Sequence, residues 1–419
     1  MDINLKTDRS LIRANGGSNR YLLARFTAPA SPQRRDRPPV NVAFVIDRSG
    51  SMGGQKITLA KEAVRMAVSL LRPSDRFAVV TYDEAIDVVT PSTPATAEAK
   101  RHAARALGRV AARGSTNLGD GWLRGAEQVA LHQDERYVSR ILLLTDGLAN
   151  QGIVDPEVLR QHAGALRARG VMTTTIGLGE DFNEELLRSM SLAGGGNFYF
   201  VESPAQIADT MTSELQETLD IVARSLALVL RAPDGVLVEP LTEALVERDG
   251  PAWRILLGDA VSEQEFEIVV RVNFPAGPAE QEAKVIAALE DRDGAMRTVS
   301  ELAWQYADHH RNDIQERDRT VDRIVARLYA ARAKQEAVSL NRRGEFDAAK
   351  SALRRVKDRV RGYAGDDLGL HAVMSELDAQ AMQFASQLDE YSLKRAHFET
   401  ANVSRMRTVE GKARKGGTK

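Results

Sequence analysis

A chain of 419 residues is long enough for two or three domains with substantial cores. Its 57 Lys and Arg against 58 Asp and Glu leave a formal charge of −1, which gives no global electrostatic case for nucleic acid or an anionic membrane. The absence of cysteine excludes disulfides, thiolate nucleophiles and Cys-ligated zinc.

The opening residues, MDINLKTDRSLIRANGG, scatter charge through the segment and lack the apolar centre of a signal peptide. No apolar run approaches the roughly 20 residues of a membrane helix, so the expected compartment is the cytosol. Residues 1–30 read as two short strands around an Asn-Gly-Gly turn at Asn15–Gly17, followed by a Pro- and Arg-rich connector that contains the RRDR cluster, read as a solvated loop. From 40 to 220 strands and helices alternate. VNVAFVID is a nearly continuous apolar run, the mark of a strand covered on both faces. The helix after it places Ala60, Ala63, Val64, Ala67, Val68 and Leu71 on one face. RFAVVTYD and AIDVVTP stand close enough for a hairpin, which predicts one antiparallel edge strand. Helices at 96–112, 119–132, 156–169, 183–192 and 204–220 alternate with the strands SRILLLTD, VMTTTIGLG and NFYFVE. The expected fold is α/β, a doubly wound, mostly parallel, Rossmann-like sheet.

Over residues 221–304 the runs ARSLALVLRAP, GVLVEP, AWRILLG, EQEFEIVVRVNFP, AKVIAALED and MRTVSELAW are strand-like and predict an antiparallel β-sandwich completed by the N-terminal strands, with the α/β unit inserted into it. Residues 313–398 form a C-terminal helical domain, whose first helix carries Val321, Ile324, Val325, Leu328 and Ala331 on its core face. Gly344 separates that helix from a second, and a longer helix spans 372–397. Residues 399–419 are expected to be a basic flexible tail, with six Lys or Arg against Glu410 over 401–419.

The chemistry is concentrated where the first buried strand ends, in FVIDRSGSMGGQKI. A phosphate-binding loop needs Gly-x4-Gly-Lys followed by Ser or Thr; counted from Gly50, only Lys56 fits. At GLGEDF, Phe182 stands where a dinucleotide fingerprint needs its third glycine. An Asp-x-Asp phosphoryl-transfer pair is absent, because Ser49 holds its second position. What is present is Asp47-x-Ser49-x-Ser51, an alternation of hard oxygen donors suited to a divalent ion such as Mg²⁺. One loop cannot surround an ion. Thr116, in ARGSTNLGDGW before a helix, and Asp146, in LLLTDG at a strand end, stand at the same end of such a sheet. Taken singly, these residues also suit helix caps and turns.

This constellation resembles the metal-ion-dependent adhesion site of the von Willebrand factor type A (VWA) family over about 40–220. The resemblance implies that Ser49 and Ser51 bind Mg²⁺ or Mn²⁺ directly and that Thr116 does so directly or through water. Asp47 and Asp146 would act mostly through water and by hydrogen bonds. In the family a partner protein's carboxylate fills the remaining position, and Gly50, Gly53 and Gly54 would let the loop turn tightly. No role attaches to Arg48. The split sandwich is similar to VWA proteins related to inter-alpha-trypsin inhibitor heavy chains, and the helical end resembles the VWA-associated helical domain of bacterial and plant proteins. The expected function is a non-enzymatic, cytosolic, metal-dependent adaptor that captures an Asp or Glu of a protein partner, with no membrane or nucleic acid. A metal-dependent hydrolase and a regulatory subunit of a separate ATPase are the alternatives.

Overall fold

The computed structural model describes residues 2–31, 37–294 and 298–416. Three strands open the chain, β1 (Asn4–Thr7), β2 (Leu11–Arg13) and β3 (Ser18–Thr27). An alternating stretch follows: β4 (Val40–Asp47), α1 (Gln55–Ser69), β5 (Arg76–Tyr82), β6 (Ile86–Pro94), α2 (Ala97–Gly108), α3 (Leu118–Ala130) and β7 (Val138–Thr145). It continues through α4 (Pro156–Ala168), β8 (Val171–Leu178), α5 (Glu184–Ala193), β9 (Gly195–Val201) and α6 (Ile207–Leu219). Seven strands come next: β10 (Ile221–Arg231), β11 (Leu237–Pro240), β12 (Leu245–Asp249), β13 (Ala252–Val261), β14 (Glu265–Phe274), β15 (Glu282–Glu290) and β16 (Thr298–Ala307). The chain closes with α7 (His309–Ile314), α8 (Arg319–Arg342), α9 (Phe346–Ala364), α10 (Leu368–Gln383) and α11 (Glu390–Ser404). These elements form two units, one of Ser31–Ile221 and the other of Met1–Ala30 with Val222–Lys419. No helix among the described residues is long and apolar enough to cross a membrane.

In the first unit the sheet order is β6-β5-β4-β7-β8-β9. All neighbours run parallel except β5 and β6, which pair antiparallel as the hairpin spacing predicts. Every residue of β4, β7 and β8 is buried, which explains their unbroken apolar or Thr-rich character. Because β4 lies between β5 and β7, connections leave it in opposite directions, and a crevice opens at its carboxyl end.

Helix α3 approaches this sheet through glycines. A Cβ on Gly121 would come within 2.5 Å of the Tyr82 ring, and one on Gly125 within 2.3 Å of Val45 Cγ2. Neither neighbour can yield inside a close-packed core. Gly125→Ala is therefore expected to cost about 1–3 kcal/mol, read as a lower midpoint in thermal unfolding. Gly164→Ala in α4, whose added methyl meets nothing within 4 Å, is expected to hold or raise it by up to about 1 kcal/mol. Equal midpoints for the two variants would refute the close-approach account.

A second buried device ties three strands to α6. The carboxylate of Glu214, fully buried, accepts hydrogen bonds from Arg140 Nη1 (3.2 Å), Thr174 Oγ1 (2.6 Å), Asn197 Nδ2 (2.9 Å) and Tyr199 OH (2.8 Å). At the other end of the connector Arg37 grips Asp75 with both guanidinium nitrogens, at 2.9 and 2.6 Å. Arg37 is thus a structural anchor, while Arg34, Arg35 and Asp36 of the RRDR cluster lie outside the described residues.

The second unit contains a four-stranded sheet, β1-β3-β14-β11, and a six-stranded one, β12-β13-β10-β15-β16-β2. One apolar core joins them, with Leu22, Phe26, Ile268 and Val270 from the first and Leu228, Ile255, Val285 and Trp304 from the second. The expectation of a wholly antiparallel arrangement needs correction at one edge, where β2 runs parallel to β16. On the far face of the four-stranded sheet Tyr21, Leu23 and Val269 pack against Val321, Ile324, Val325 and Leu328 of α8.

The helical end also departs from expectation. The single helix expected at 372–397 is two, α10 and α11. Asn341 of α8 holds the turn between them: its amide donates to the Ser386 carbonyl (2.7 Å) and its oxygen accepts the Leu388 N–H (3.1 Å). Asp389 then caps α11 through the Ser392 N–H (2.8 Å). The basic segment after α11 is docked rather than free as far as Gly416. Met406 is buried beside Tyr21 and Leu241, Arg414 pairs with Glu267 at 2.9 Å, and Lys415 bridges to Gln264.

Candidate metal centre at the ends of the central strands

Strand β4 delivers Asp47 to the crevice as its last residue, and β7 delivers Thr145 as its last, with Asp146 next. The chain leaves β4 through Arg48 and Ser49 into a short 3-10 turn, Gly50–Met52, before α1 begins. Asp47 organises this exit. Its Oδ1 accepts the Ser49 N–H (2.8 Å), fixing the turn, and its Oδ2 accepts the Thr145 hydroxyl (2.7 Å), joining β4 to β7. Of the loop glycines only Gly54 needs left-handed backbone, with φ 72°.

The sequence-predicted oxygens are brought together. Ser51 Oγ donates to Asp146 Oδ1 at 2.7 Å, and Ser49 Oγ lies 3.1 Å from Ser51 Oγ. Thr116 reaches the same place from the loop before α3. A Cβ placed on Gly147 would lie 3.4 Å from Thr116 Oγ1 and 3.7 Å from Ser51 Oγ, so both hydroxyls flank that glycine. Thr116 is held there by its N–H donating to Asn150 Oδ1 (2.9 Å) and its carbonyl accepting the Asn150 N–H (3.1 Å).

Backbone bonds fasten the loops to one another. Gly50 N–H donates to the Gly114 carbonyl (3.0 Å), Arg113 N–H to the Arg48 carbonyl (2.8 Å), and Asn117 N–H to the Asp83 carbonyl (3.0 Å). Arg48, to which the sequence assigned no role, is buried and pairs with Asp83 (3.1 Å) and Asp87 (2.7 Å). Burial would raise the Asp83 carboxyl, but hydrogen bonds from Arg113, the Ala85 amide and Arg48 outweigh it and hold it below the usual carboxylate range. The site is therefore mounted on a fixed frame.

Its electrostatics differ from that frame. Asp47 and Asp146 are both fully buried. Burial pushes the Asp47 carboxyl up to about 6, against hydrogen bonds from Ser49 and Thr145 that favour its charged form. Lys56, in the first turn of α1, places Nζ 2.5 Å from Asp146 Oδ2. Sequence reasoning missed both Lys56 and Thr145. Thr145 adjoins Asp146 in the LLLTDG motif, whereas Lys56 was read only as a failed phosphate-loop lysine.

The donors suit a hard divalent ion. Oxygens adjacent on an octahedron of metal–oxygen distance about 2.0–2.1 Å are about 3 Å apart, close to the 3.1 Å between the Ser49 and Ser51 hydroxyls. Among the described residues no cluster of three or more His, Asp or Glu is arranged for a metal, so hydroxyls are an essential part of any such site here.

Residues 41–213 match the family model of the von Willebrand factor type A domain. The chain is 28% identical over 279 residues, 64% of its own length and 65% of the other's, to the uncharacterized protein sll0103 of Synechocystis sp.. It is 31% identical over 189 residues to the uncharacterized protein YfbK of Escherichia coli, covering 45% of this chain and 32% of that one. Over 200 residues it is 30% identical to human inter-alpha-trypsin inhibitor heavy chain H4, covering 46% and 21% of the two chains. It thus spans less than two thirds of the length of these curated relatives. Among solved structures, the von Willebrand factor type A protein from Catenulispora acidiphila superposes with a TM-score of 0.73 at 21% identity, over 99% of this chain and 97% of that one. The ArnB paralog VWA2 from Sulfolobus acidocaldarius gives 0.58 at 18% identity, over 92% and 99%. Both are likenesses of fold.

Proposed function

From a chain whose residues 41–213 form a von Willebrand factor type A domain, we propose a non-catalytic, cytosolic adaptor that binds a protein partner through a divalent ion. The observation that carries this reading is the convergence of Ser49, Ser51, Thr116 and Asp146 from three separate loops around Gly147. Such loops at a sheet's switch point are where ligands meet α/β folds.

Ser49 and Ser51 would hold Mg²⁺ or Mn²⁺ by their hydroxyls, with Thr116 doing so directly or through water. Asp47 would orient Ser49 through the bond to its N–H, and Asp146 would orient Ser51. When bound, the ion supplies a concentrated positive charge able to take an Asp or Glu carboxylate from the partner. The α8–α11 helices, packed on a sheet of the second unit, offer a separate surface for a second partner. Interaction through a VWA domain is also the coarser reading that the match over 41–213 supports.

The test is metal-dependent capture. The immobilised 419-residue chain is expected to retain partners from an extract of its own source in millimolar Mg²⁺ and to release them on chelation. Crosslinks should map to the loops at Ser49–Ser51, Thr116 and Asp146. A retained set unchanged by chelation, with crosslinks elsewhere, would remove the metal from the function.

A further inference from the structure

Lys56 is an unusual neighbour for a cation site. It sits in the first turn of α1, where the helix dipole disfavours a positive side chain and where no acidic residue or side-chain cap compensates. Its position is explained instead by Asp146: Nζ stands 2.5 Å from Oδ2, while Ser51 donates to Oδ1 of the same carboxylate at 2.7 Å. Asp146 is fully buried whereas the Lys56 side chain is 29% exposed, so the ammonium reaches in from the solvent side of the site. Taking the ammonium away from such a pair costs more than breaking an exposed ion pair, because the buried carboxylate has already lost its water.

The charge balance gives this contact a consequence. Asp47 and Asp146 with Lys56 leave the ionised site one charge negative. A divalent ion turns it one charge positive, and an arriving carboxylate neutralises it. Without Lys56, the divalent ion would leave the site neutral overall, and its draw on a third carboxylate would be weaker.

We propose that Lys56 is a tethered cation that weakens the site for the divalent ion and strengthens the loaded site for a partner's carboxylate. The inference rests on the metal-binding reading above and concerns how that site is regulated. Lys56 competes for Asp146 while the ion is absent. Once an ion and an acidic ligand are both present, its ammonium is free to pair with the ligand. Ion and ligand thereby become coupled, each raising the affinity for the other.

The two effects have opposite signs, which a purely structural ion pair would not produce. Free Mn²⁺ is measured by electron paramagnetic resonance during titration of the wild-type protein and Lys56→Met, with and without acetate as the carboxylate probe. Lys56→Met is expected to bind Mn²⁺ alone roughly tenfold more tightly, the scale of one nearby charge at a partly solvated site. Acetate should raise the apparent Mn²⁺ affinity of the wild type and leave that of Lys56→Met nearly unchanged. Lys56→Arg, which keeps the charge, should resemble the wild type, and Lys56→Gln serves if the Met variant misfolds. If the neutral variants bind Mn²⁺ no more tightly than the wild type, or if acetate acts equally on both, the inference is overturned while the metal site stands. If no protein binds Mn²⁺ with or without acetate, the metal-binding reading falls and this inference with it.

Discussion

Ser49→Ala/Ser51→Ala is expected to bind Mg²⁺ at least a hundredfold more weakly than the wild type in titration calorimetry. Outer partners of a metal site are already worth about 10–100-fold each, and these two hydroxyls are proposed as direct ligands. The fold should survive. Ser51 is exposed, and the backbone bonds that set the loop, Ser49 N–H to Asp47 and Gly50 N–H to Gly114, do not involve either hydroxyl. The loss of the Ser51–Asp146 hydrogen bond sets an upper limit of about 3 kcal/mol on the stability cost, measured in the presence of chelator. Mg²⁺ affinity equal to the wild type would show that the hydroxyls are not ligands of the ion. A collapse of the fold in chelator would instead make them structural.

Glu214→Ala should be the most damaging single change in the α/β unit. It removes one buried carboxylate that accepts from Arg140, Thr174, Asn197 and Tyr199 on three strands. Breaking a buried ion pair by deleting one partner costs about 3–5 kcal/mol, and the lost hydrogen bonds and the cavity act in the same direction. Denaturant unfolding, followed by tryptophan fluorescence to which Trp122 of this unit contributes, should show the unfolding free energy fall by that amount. Glu214→Gln keeps an acceptor oxygen and should lose less. A change below about 1 kcal/mol for Glu214→Ala would mean that α6 is held by its apolar residues Ile207, Met211 and Leu215 alone.

The α/β alternation was legible because its signals are local and redundant. Strand β4 reads as a nearly continuous apolar run ending in Asp47, and its burial on both faces is what such a run means. The antiparallel edge was legible in the short gap between β5 and β6. Strand β12 was not, because most of LVERD is exposed and its pairing to β13 is decided by a partner elsewhere in the chain. The break between α10 and α11 depends on Asn341, more than forty residues upstream of the turn it holds. The docking of the basic segment depends likewise on Glu267 and Gln264. Charge composition describes how a segment would behave alone, without the strand edge that receives it.

The site divides along the same line. Asp47, Ser49 and Ser51 are three residues of one motif, and their spacing carries the chemistry. Thr116 and Asp146 could be placed only by expecting strands to end side by side. Lys56 was present in the quoted stretch, yet nothing local marks it as a partner of Asp146, ninety residues away. Periodicity puts it on a helix; only the fold turns it inward.

The interrupted order of the second unit has a consequence for the growing chain. Strand β3, apolar along most of its length, pairs from Ser18 to Thr27 with β14, which is made only after the whole α/β unit has emerged. The contiguous unit Ser31–Ile221 can complete its sheet during synthesis, whereas β3 must wait beside it with one edge unfilled. An early strand with a late partner is a hazard for aggregation and a reason for slow maturation. The residues that wait longest, Leu22, Leu23, Ala24 and Phe26, are fully or nearly buried in the finished protein.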